Sequence, residues 1–186
     1  MSKYLELSEE INALDSLDKA HFFITRLKDD EEINWKWTIL CSHSALYGFA
    51  ICALKGTDNV RVCGKDGRLI DFCETIKRIQ KEEFMRMTVG SKWITLSLEQ
   101  LEDIKKFHNT FRNNFEHYKP KGWLIETSGM PRIINSVLDI IHFLATESGN
   151  YVNINGKEKE MIEYLIASSK KILEEIGIIK DNNLIE

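Results

Sequence analysis

The feature that most constrains this fold is an uncharged stretch of eighteen residues in the first third of the chain, 37–54. Its length reaches the lower limit for a helix that crosses a membrane. Polar residues such as Ser42 and His43 dilute it, however, and Lys36 and Lys55 bracket it. We therefore expect a helix that other helices bury at the centre of a bundle, or that lies partly in a subunit interface, rather than a membrane span.

Side chains on this central helix indicate how it packs. Ala45, Gly48 and Cys52 follow one another at helical spacing, so their small side chains allow a second helix to approach one side closely. His43 lies within the same uncharged stretch. A polar group in such surroundings is more often hydrogen-bonded within a core than used in catalysis, and we interpret His43 in that way.

The rest of the chain also has the periodicity of helices. Apolar residues recur at helical spacing before residue 30, with Ser8 as a cap at the start of the first helix. Ser97 and Gln100 form a capping box, which predicts a helix that ends near Tyr118 because a proline follows at position 120. A further helix is expected with Pro131 in its first turn, and a last one lies near the C-terminus.

One segment, 59–72, has the two-residue alternation of β-strands instead, on either side of Asp66 and Gly67, a dipeptide typical of tight turns. It predicts a small β-hairpin. Together these patterns predict an all-α fold, an up-and-down bundle of about five helices with this hairpin inserted. A chain of 186 residues of which 43% are hydrophobic can bury its own core, and we expect a single domain over 1–186.

Composition and motif content exclude several classes of function. The four cysteines form no Cys-x-x-Cys pair and the first residues lack the apolar core of a signal peptide, which predicts a cytoplasmic protein with reduced thiols. The five histidines have no partner at metal-ligand spacing, so we expect no metal. Because the sequence has no phosphate-binding loop, dinucleotide fingerprint or nucleophile elbow, we expect no cofactor.

The distribution of charge is compatible with a nucleic-acid site in one segment of the chain but not with binding over the whole surface. A formal net charge of −4 is unfavourable for a protein that coats nucleic acid indiscriminately, since such binding requires many phosphate contacts. Basic residues are nevertheless concentrated in 105–132, where six Lys and Arg against two Glu give +4 and leave −8 for the rest of the chain. Any RNA site is therefore expected in this segment.

Within this basic segment, the end of the predicted helix contains Arg112, Asn113 and His117. Arginine followed directly by asparagine and then, four residues later, by histidine is expected by chance only about 0.01 times in a chain of this composition. Together with the apolar central helix, the inserted hairpin and the Lys-Pro-Lys-Gly-Trp segment that follows, the motif resembles the HEPN superfamily of helical proteins. The resemblance extends loosely from the first helix to about residue 144.

The resemblance implies metal-independent cleavage of RNA by Arg112, Asn113 and His117, with a 2′,3′-cyclic phosphate and a 5′-hydroxyl as product ends. These residue types suit the chemistry because histidine transfers protons near neutral pH and arginine binds the phosphate oxygens on which charge builds up. Asn113 is expected to orient His117 or to hold a phosphate oxygen. The family further implies a role in phage defence, a toxin–antitoxin pair or a stress response, with an antitoxin or another regulatory protein as a partner.

Residues around the motif complete the predicted site. Basic side chains that would contact RNA are Lys119, Lys121 and Arg132. Glu126 is expected to pair with one of the two arginines, and Trp123 is expected to pack against the fold.

The motif also makes a demand on geometry. On an ideal helix, the five residues from Arg112 to His117 separate the two side chains by roughly 140° around the axis and about 7.5 Å along it. One straight helix does not bring both to one phosphate, so either the last turn unwinds or two subunits contribute to one site, as the resemblance also implies. We therefore predict a homodimer with a twofold axis and this helix end at its interface.

A simpler interpretation of the motif stays open. Arg112 and Glu116 have the spacing of a surface ion pair, and the imidazole of His117 can bind carbonyl groups at the end of the helix. The alternative to the nuclease is therefore a non-catalytic HEPN-like protein with a degenerate site, which binds or regulates a partner.

Overall fold

The structure, a computed structural model, describes residues 4, 5, 7–117, 122–151 and 154–183, with side chains described as far as residue 177. This part of the chain is all-α, as predicted. If segments that continue without a break are counted as one helix, the described residues form seven helices, one 3₁₀ turn and no β-strand.

The helices follow one another along the chain with short connections. Helix α1 is Glu9–Thr25 and α2 is Glu31–Lys55, and they are followed by a 3₁₀ turn (Asn59–Val62), α3 (Phe72–Arg78) and α4 (Glu82–Met85). Helix α5 spans 98–116 and consists of Leu98–Lys106, the π-helical Phe107–Arg112 and Asn113–Glu116. Helix α6 spans 130–147, with a π-helical end at Phe143–Glu147, and α7 is Gly156–Asn183.

Capping residues begin the helices where the sequence predicts it. The hydroxyl of Ser8 accepts a hydrogen bond from the backbone N–H of Ile11 at 3.2 Å. At the start of α5, Ser97 and Gln100 form a full capping box, with each side chain accepting from the backbone N–H of the other residue. Pro131 lies in the first turn of α6, where its missing N–H is not needed.

Helix α2 forms the centre of the core. By length and composition alone it could cross a membrane, but 67% of its most apolar window is buried inside the fold. It packs most extensively against α1 and also contacts α3, α5 and α6. The prediction that other helices bury the uncharged stretch is thus confirmed.

The contact between α1 and α2 depends on a glycine. A Cβ atom added to Gly48 would lie only 2.8 Å from the Cβ of Ala13 and 3.2 Å from its Cα. Since real side chains do not approach so closely, the two helix backbones can lie this near each other only because position 48 has no side chain. The predicted close approach on the small-residue side of α2 is therefore present at Gly48.

The segment 59–72 differs from the predicted hairpin. It forms a 3₁₀ turn and a single antiparallel bridge between Cys63 and Leu69 instead of two strands. The carboxylate of Asp58 accepts from the N–H of Val60 at 3.0 Å and starts the 3₁₀ turn. Arg78 then donates to the carbonyl of the turn residue Arg61 at 3.0 Å. Side chains thus satisfy backbone groups that a strand ladder would use.

Candidate functional site

The predicted motif lies where α5 changes its helical geometry. Residues Phe107–Arg112 form a π-helix, and Phe107 and Phe111 anchor it in the core. Single π-helical turns inside α-helices occur frequently at functional sites. His108 and Arg112 are four residues apart on this segment, so they share one side of the helix.

Two neighbours on α5 hold the guanidinium of Arg112. Its Nη1 donates a hydrogen bond to Oδ1 of Asn113 at 2.9 Å, and its Nη2 forms an ion pair with the carboxylate of Glu116. The side chain keeps 26% of its surface exposed. Arg112 is therefore both fixed in position and accessible to a ligand from solvent.

Asn113 supports the arginine and not the histidine of the motif. Its side-chain oxygen accepts from Arg112, while only its backbone carbonyl contacts His117, whose N–H donates to it at 2.9 Å. One of the two roles expected of Asn113 was to orient the imidazole of His117. In this conformation its side chain does not contact that imidazole.

His117 lies just outside the helix, which ends at Glu116, two residues before the predicted end. Its backbone is extended, with φ −103° and ψ 101°. The side chain is exposed, and its ring makes no hydrogen bond or ion pair with the residues that the structure describes. Because the chain has left the helical path, the direction of His117 is no longer fixed by its helical spacing from Arg112.

The predicted RNA contacts have different outcomes. Lys119 and Lys121 lie outside the described residues. The guanidinium of Arg132 is bound by two carboxylates, with its Nη1 at 2.7 Å from Glu99 and at 2.7 Å from Asp103. Asp103 is buried and also accepts a hydrogen bond from Ser136. Arg132 therefore joins the start of α5 to α6, whether or not it also contacts RNA.

The predicted role of Glu126 is wrong, because its carboxylate accepts from the hydroxyl of Ser128 at 2.7 Å and pairs with neither arginine. Arg112 pairs with Glu116 instead, and Arg132 pairs with Glu99 and Asp103. Trp123 packs as expected, with its ring against Phe115 at a centroid distance of 5.0 Å. It retains 38% exposure, and the neighbouring Leu124 is fully exposed.

A second group of side chains adjoins Arg112. Nε2 of His43 on α2 lies 2.9 Å from Nδ1 of His108 on α5, and the hydrogen bond joins the two helices. The ring of Phe72, the first residue of α3, stacks on both imidazoles, with centroid distances of 4.3 Å to His43 and 4.6 Å to His108. His43 is thus a buried and hydrogen-bonded histidine, as predicted.

The charge state of this pair follows from its surroundings. Burial, and then the positive charges of His108 and Arg112, lower the pKa of His43 to about 3. Burial and the charge of Arg112 also lower the pKa of His108, while the carboxylates of Asp71 and Glu116 act in the opposite direction. Both imidazoles are therefore neutral at neutral pH, and one donates the shared hydrogen bond while the other accepts it.

Comparison of the chain with family models, curated proteins and solved structures finds no match. Within the described residues, no three His, Cys, Asp or Glu side chains are grouped so that they could hold a metal ion. The function must therefore be inferred from the site itself.

His108 is the site residue that the sequence analysis did not identify. Its spacing of four residues from Arg112 places it on the same side of α5, and this signal is present in the sequence. Its partner His43 is 65 residues away, and no local pattern connects the two. The pairing becomes visible only when α2 and α5 are packed together.

Proposed function

We propose that this protein is a metal-independent endoribonuclease of the HEPN type that acts as a homodimer. Arg112 binds the phosphate on which charge develops, His117 transfers protons, and Asn113 holds Arg112 in position. Cleavage leaves a 2′,3′-cyclic phosphate and a 5′-hydroxyl. Lys119, Lys121 and Arg132 stay predicted RNA contacts around this site. We further propose that its helices form an up-and-down bundle and that the protein is cytoplasmic.

The observation that carries the proposal is the held but accessible guanidinium of Arg112 at the end of α5. Its hydrogen bond to Asn113 and its ion pair with Glu116 fix its orientation, so little side-chain entropy remains to be lost on phosphate binding. Its planar group offers several donors to a phosphate. Charge-assisted hydrogen bonds of this kind contribute on the order of 1.5–3 kcal/mol each.

The end of the helix supports the role of His117. The geometric difficulty in the motif is that a continuous helix would direct Arg112 and His117 to different sides. Since the helix ends at Glu116 and His117 is extended and exposed, its imidazole is free to turn towards a phosphate held by an arginine. That arginine can belong to the same chain or to a partner.

Exposed apolar side chains beside this helix end support the dimer. Leu124 is fully exposed, and Trp123 is partly exposed where it packs on Phe115. Apolar and aromatic side chains are enriched at the centres of protein interfaces. A twofold axis near these residues would bring two copies of the α5 end together.

The second candidate function is a non-catalytic HEPN-like protein that binds or regulates a partner. The ion pair between Arg112 and Glu116 favours it, because the carboxylate already occupies the guanidinium that a phosphate would need. For the nuclease, phosphate must compete with Glu116. An activity measurement decides between the two candidates.

The test is cleavage of single-stranded RNA in the presence of EDTA by purified wild type, Arg112→Ala and His117→Ala. We expect wild type to cleave and each variant to lose about 10²- to 10⁴-fold in rate. Arg86→Ala is a matched control, since Arg86 forms an ion pair with Glu82 at the same four-residue spacing. Equal cleavage by all proteins, or none by wild type, would exclude the nuclease and favour the binding protein.

The dimer has a separate test, the mixing of Arg112→Ala with His117→Ala. If each site takes its arginine from one protomer and its histidine from the other, a mixed dimer contains one intact site. Random exchange then restores about a quarter of the wild-type activity. No recovery, with a monomeric mass in light scattering, would contradict the shared site.

A further inference from the structure

The two imidazoles of His43 and His108 lie side by side in one plane. Their nitrogens are 2.9 Å apart, their centroids 5.1 Å apart, and the angle between the rings is 17°. These values describe rings joined edge to edge by a hydrogen bond. Phe72 covers one face of both rings, so the contact is shielded from water on that side.

The hydrogen bond leaves one nitrogen of His108 available. Nδ1 is used by His43, whereas Nε2 has no hydrogen-bond partner among the described residues. If Nδ1 carries the proton and donates to Nε2 of His43, Nε2 of His108 has a free lone pair. This is the tautomer that a proton acceptor requires.

His108 also lies at the border of a cleft between α3 and α5. The cleft has a volume of about 180 Å³. Its lining includes the apolar side chains of Ile76 and Ile104. The polar residues that line it include Lys77, Lys105 and Asn109. Apolar walls with a few polar groups at the rim suit a nucleobase, and the two lysines are complementary to the phosphates on either side of it.

We propose that His108 is a catalytic residue of this nuclease, which accepts the proton of the RNA 2′-hydroxyl, and that His43 is its positioning residue. The inference rests on the proposed function and adds a second imidazole to it. Arg112 then lies between two histidines, His108 four residues before it and His117 five residues after it. The nucleotide that supplies the 2′-hydroxyl occupies the cleft.

The proton balance of the reaction is complete with these groups. Nε2 of neutral His108 takes the proton as the 2′-oxygen forms a bond to phosphorus. The bond from phosphorus to the 5′-oxygen breaks, and protonated His117 gives its proton to that oxygen. His108 ends protonated and His117 neutral, and exchange of protons with solvent restores both. No oxidant, metal or other reactant is needed.

The electrostatics of the pair support a proton acceptor. Groups that face His108 are His43 on α2, Asp71 at the start of α3, and Arg112 and Glu116 on α5. Burial and Arg112 outweigh the carboxylates and lower the pKa of His108 below its ordinary value of about 6.5. The neutral form that accepts a proton is therefore the dominant form at neutral pH.

The decisive variant is His108→Asn. Its side-chain amide can keep a hydrogen bond to His43 in place of Nδ1, but it has nothing in place of Nε2. We expect kcat for RNA cleavage to fall about 10²- to 10³-fold, with little change in KM. Binding of uncleavable 2′-O-methyl RNA should stay within about threefold of wild type. His142→Asn, at a surface histidine on α6, is the matched control.

The positioning role of His43 is tested by two substitutions. His43→Leu removes the acceptor and should lower kcat about tenfold, because His108 is no longer held in one tautomer and orientation. His43→Gln keeps an oxygen or nitrogen near the position of Nε2 and should recover most of this loss. Equal activity of the two variants would exclude the positioning role.

The results separate this inference from the proposed function. If His108→Asn cleaves RNA as fast as wild type while Arg112→Ala is inactive, the inference is wrong and the nuclease stands. If wild type cleaves no RNA, both are wrong. Thermal unfolding of each variant shows whether a loss reflects unfolding instead, and uncleavable-RNA binding gives a readout that is independent of turnover.

The pH dependence gives a further check. The rate should decrease in acid as His108 becomes protonated, with this limb below about pH 6.5 because the pKa of His108 is lowered. The limb should be missing from the residual activity of His108→Asn. If the rate of that variant decreases in acid as it does in wild type, another group causes the decrease and His108 is not catalytic.

Discussion

Helix α2 supports two regions of the molecule in different ways. Its second half, 45–54, is nearly all apolar and buried, and it approaches α1 through the contact of Gly48 with Ala13. Slightly earlier on the same helix, His43 contacts Phe72 and His108 on α3 and α5. The first region contacts α1 by close packing, whereas the second is joined to α5 by a hydrogen bond between titratable groups.

Stability and chemistry are thus divided between two parts of one helix. In the apolar region, stability depends on volume and on the close approach of backbones, neither of which changes with pH. In the polar region, a buried histidine must stay neutral to remain favourable, so stability there depends on pH. Variants in the two regions should therefore be distinguishable by the pH at which they unfold.

The largest effect is expected for Phe49→Ala, in the apolar region. Phe49 is fully buried and its ring lies 5.4 Å from that of Tyr151. Removal of the ring leaves a cavity and should lower the free energy of unfolding by about 3–5 kcal/mol. Urea unfolding at pH 7.5 and 5.5 should show the same loss at both. A loss that depends strongly on pH would break the proposed division of α2.

The next largest effect is expected from alanine substitutions at two glycines inside helices, Gly48 and Gly177. Alanine at Gly48 would overlap the backbone of Ala13, whereas alanine at Gly177 on α7 meets no atom within 4 Å. We expect Gly48→Ala to destabilise by about 1–2 kcal/mol, since overpacking exceeds the gain in helix propensity. Gly177→Ala should stabilise by roughly 0.5–1 kcal/mol. Similar effects at both positions would show that the α1–α2 contact is not tight.

Much of this fold follows from local sequence signals. Ser8, the Ser97 and Gln100 capping box and Pro131 act within one turn of helix, so their spacing alone locates helix starts. The apolar stretch likewise predicts that α2 is buried. The segment 59–72 forms only a single bridge of the predicted hairpin, because the side chains of Asp58 and Arg78, which lie outside the alternating pattern, bind its backbone groups.

The candidate site is less predictable, because part of it depends on contacts between residues that are far apart in the sequence. Arg112, Asn113 and His117 stand together in the sequence, and the contact of Arg112 with Glu116 follows from their spacing. The pairing of His43 with His108 depends on how α2 packs against α5, and the π-helical turn depends on anchoring by Phe107 and Phe111. Such long-range contacts leave no periodic signal.

Acid should lower the stability of the fold through the buried imidazole of His43. Because the folded pKa of His43 is about 3 and its unfolded pKa about 6.5, the unfolded chain binds this proton first as the pH falls. Stability is complete above about pH 6.5 and is lost below it. From pH 7.5 to 5.5 we expect a loss of about 1.4 kcal/mol from this group. His43→Gln does not titrate, so a pH dependence equal to that of wild type would contradict the assignment.

The smallest expected effect tests whether the carboxylate of Glu116 competes with phosphate for Arg112. Glu116→Gln keeps a hydrogen-bond acceptor beside the guanidinium but removes the negative charge. An exposed ion pair contributes about 0.2–1 kcal/mol, so uncleavable RNA should bind about two- to fivefold more tightly to the variant. Fluorescence anisotropy at low and high salt measures this change, which should decrease as salt screens the charges.

The matched control for this measurement is Glu82→Gln, which removes the carboxylate partner of Arg86 at 2.7 Å on α4. Both substitutions raise the net charge of the chain by one, so general attraction to RNA increases equally in the two variants. Tighter binding by Glu116→Gln alone would place the phosphate at Arg112. An equal gain in both would mean that RNA responds to net charge only, and the ion pair at the end of α5 would then be structural.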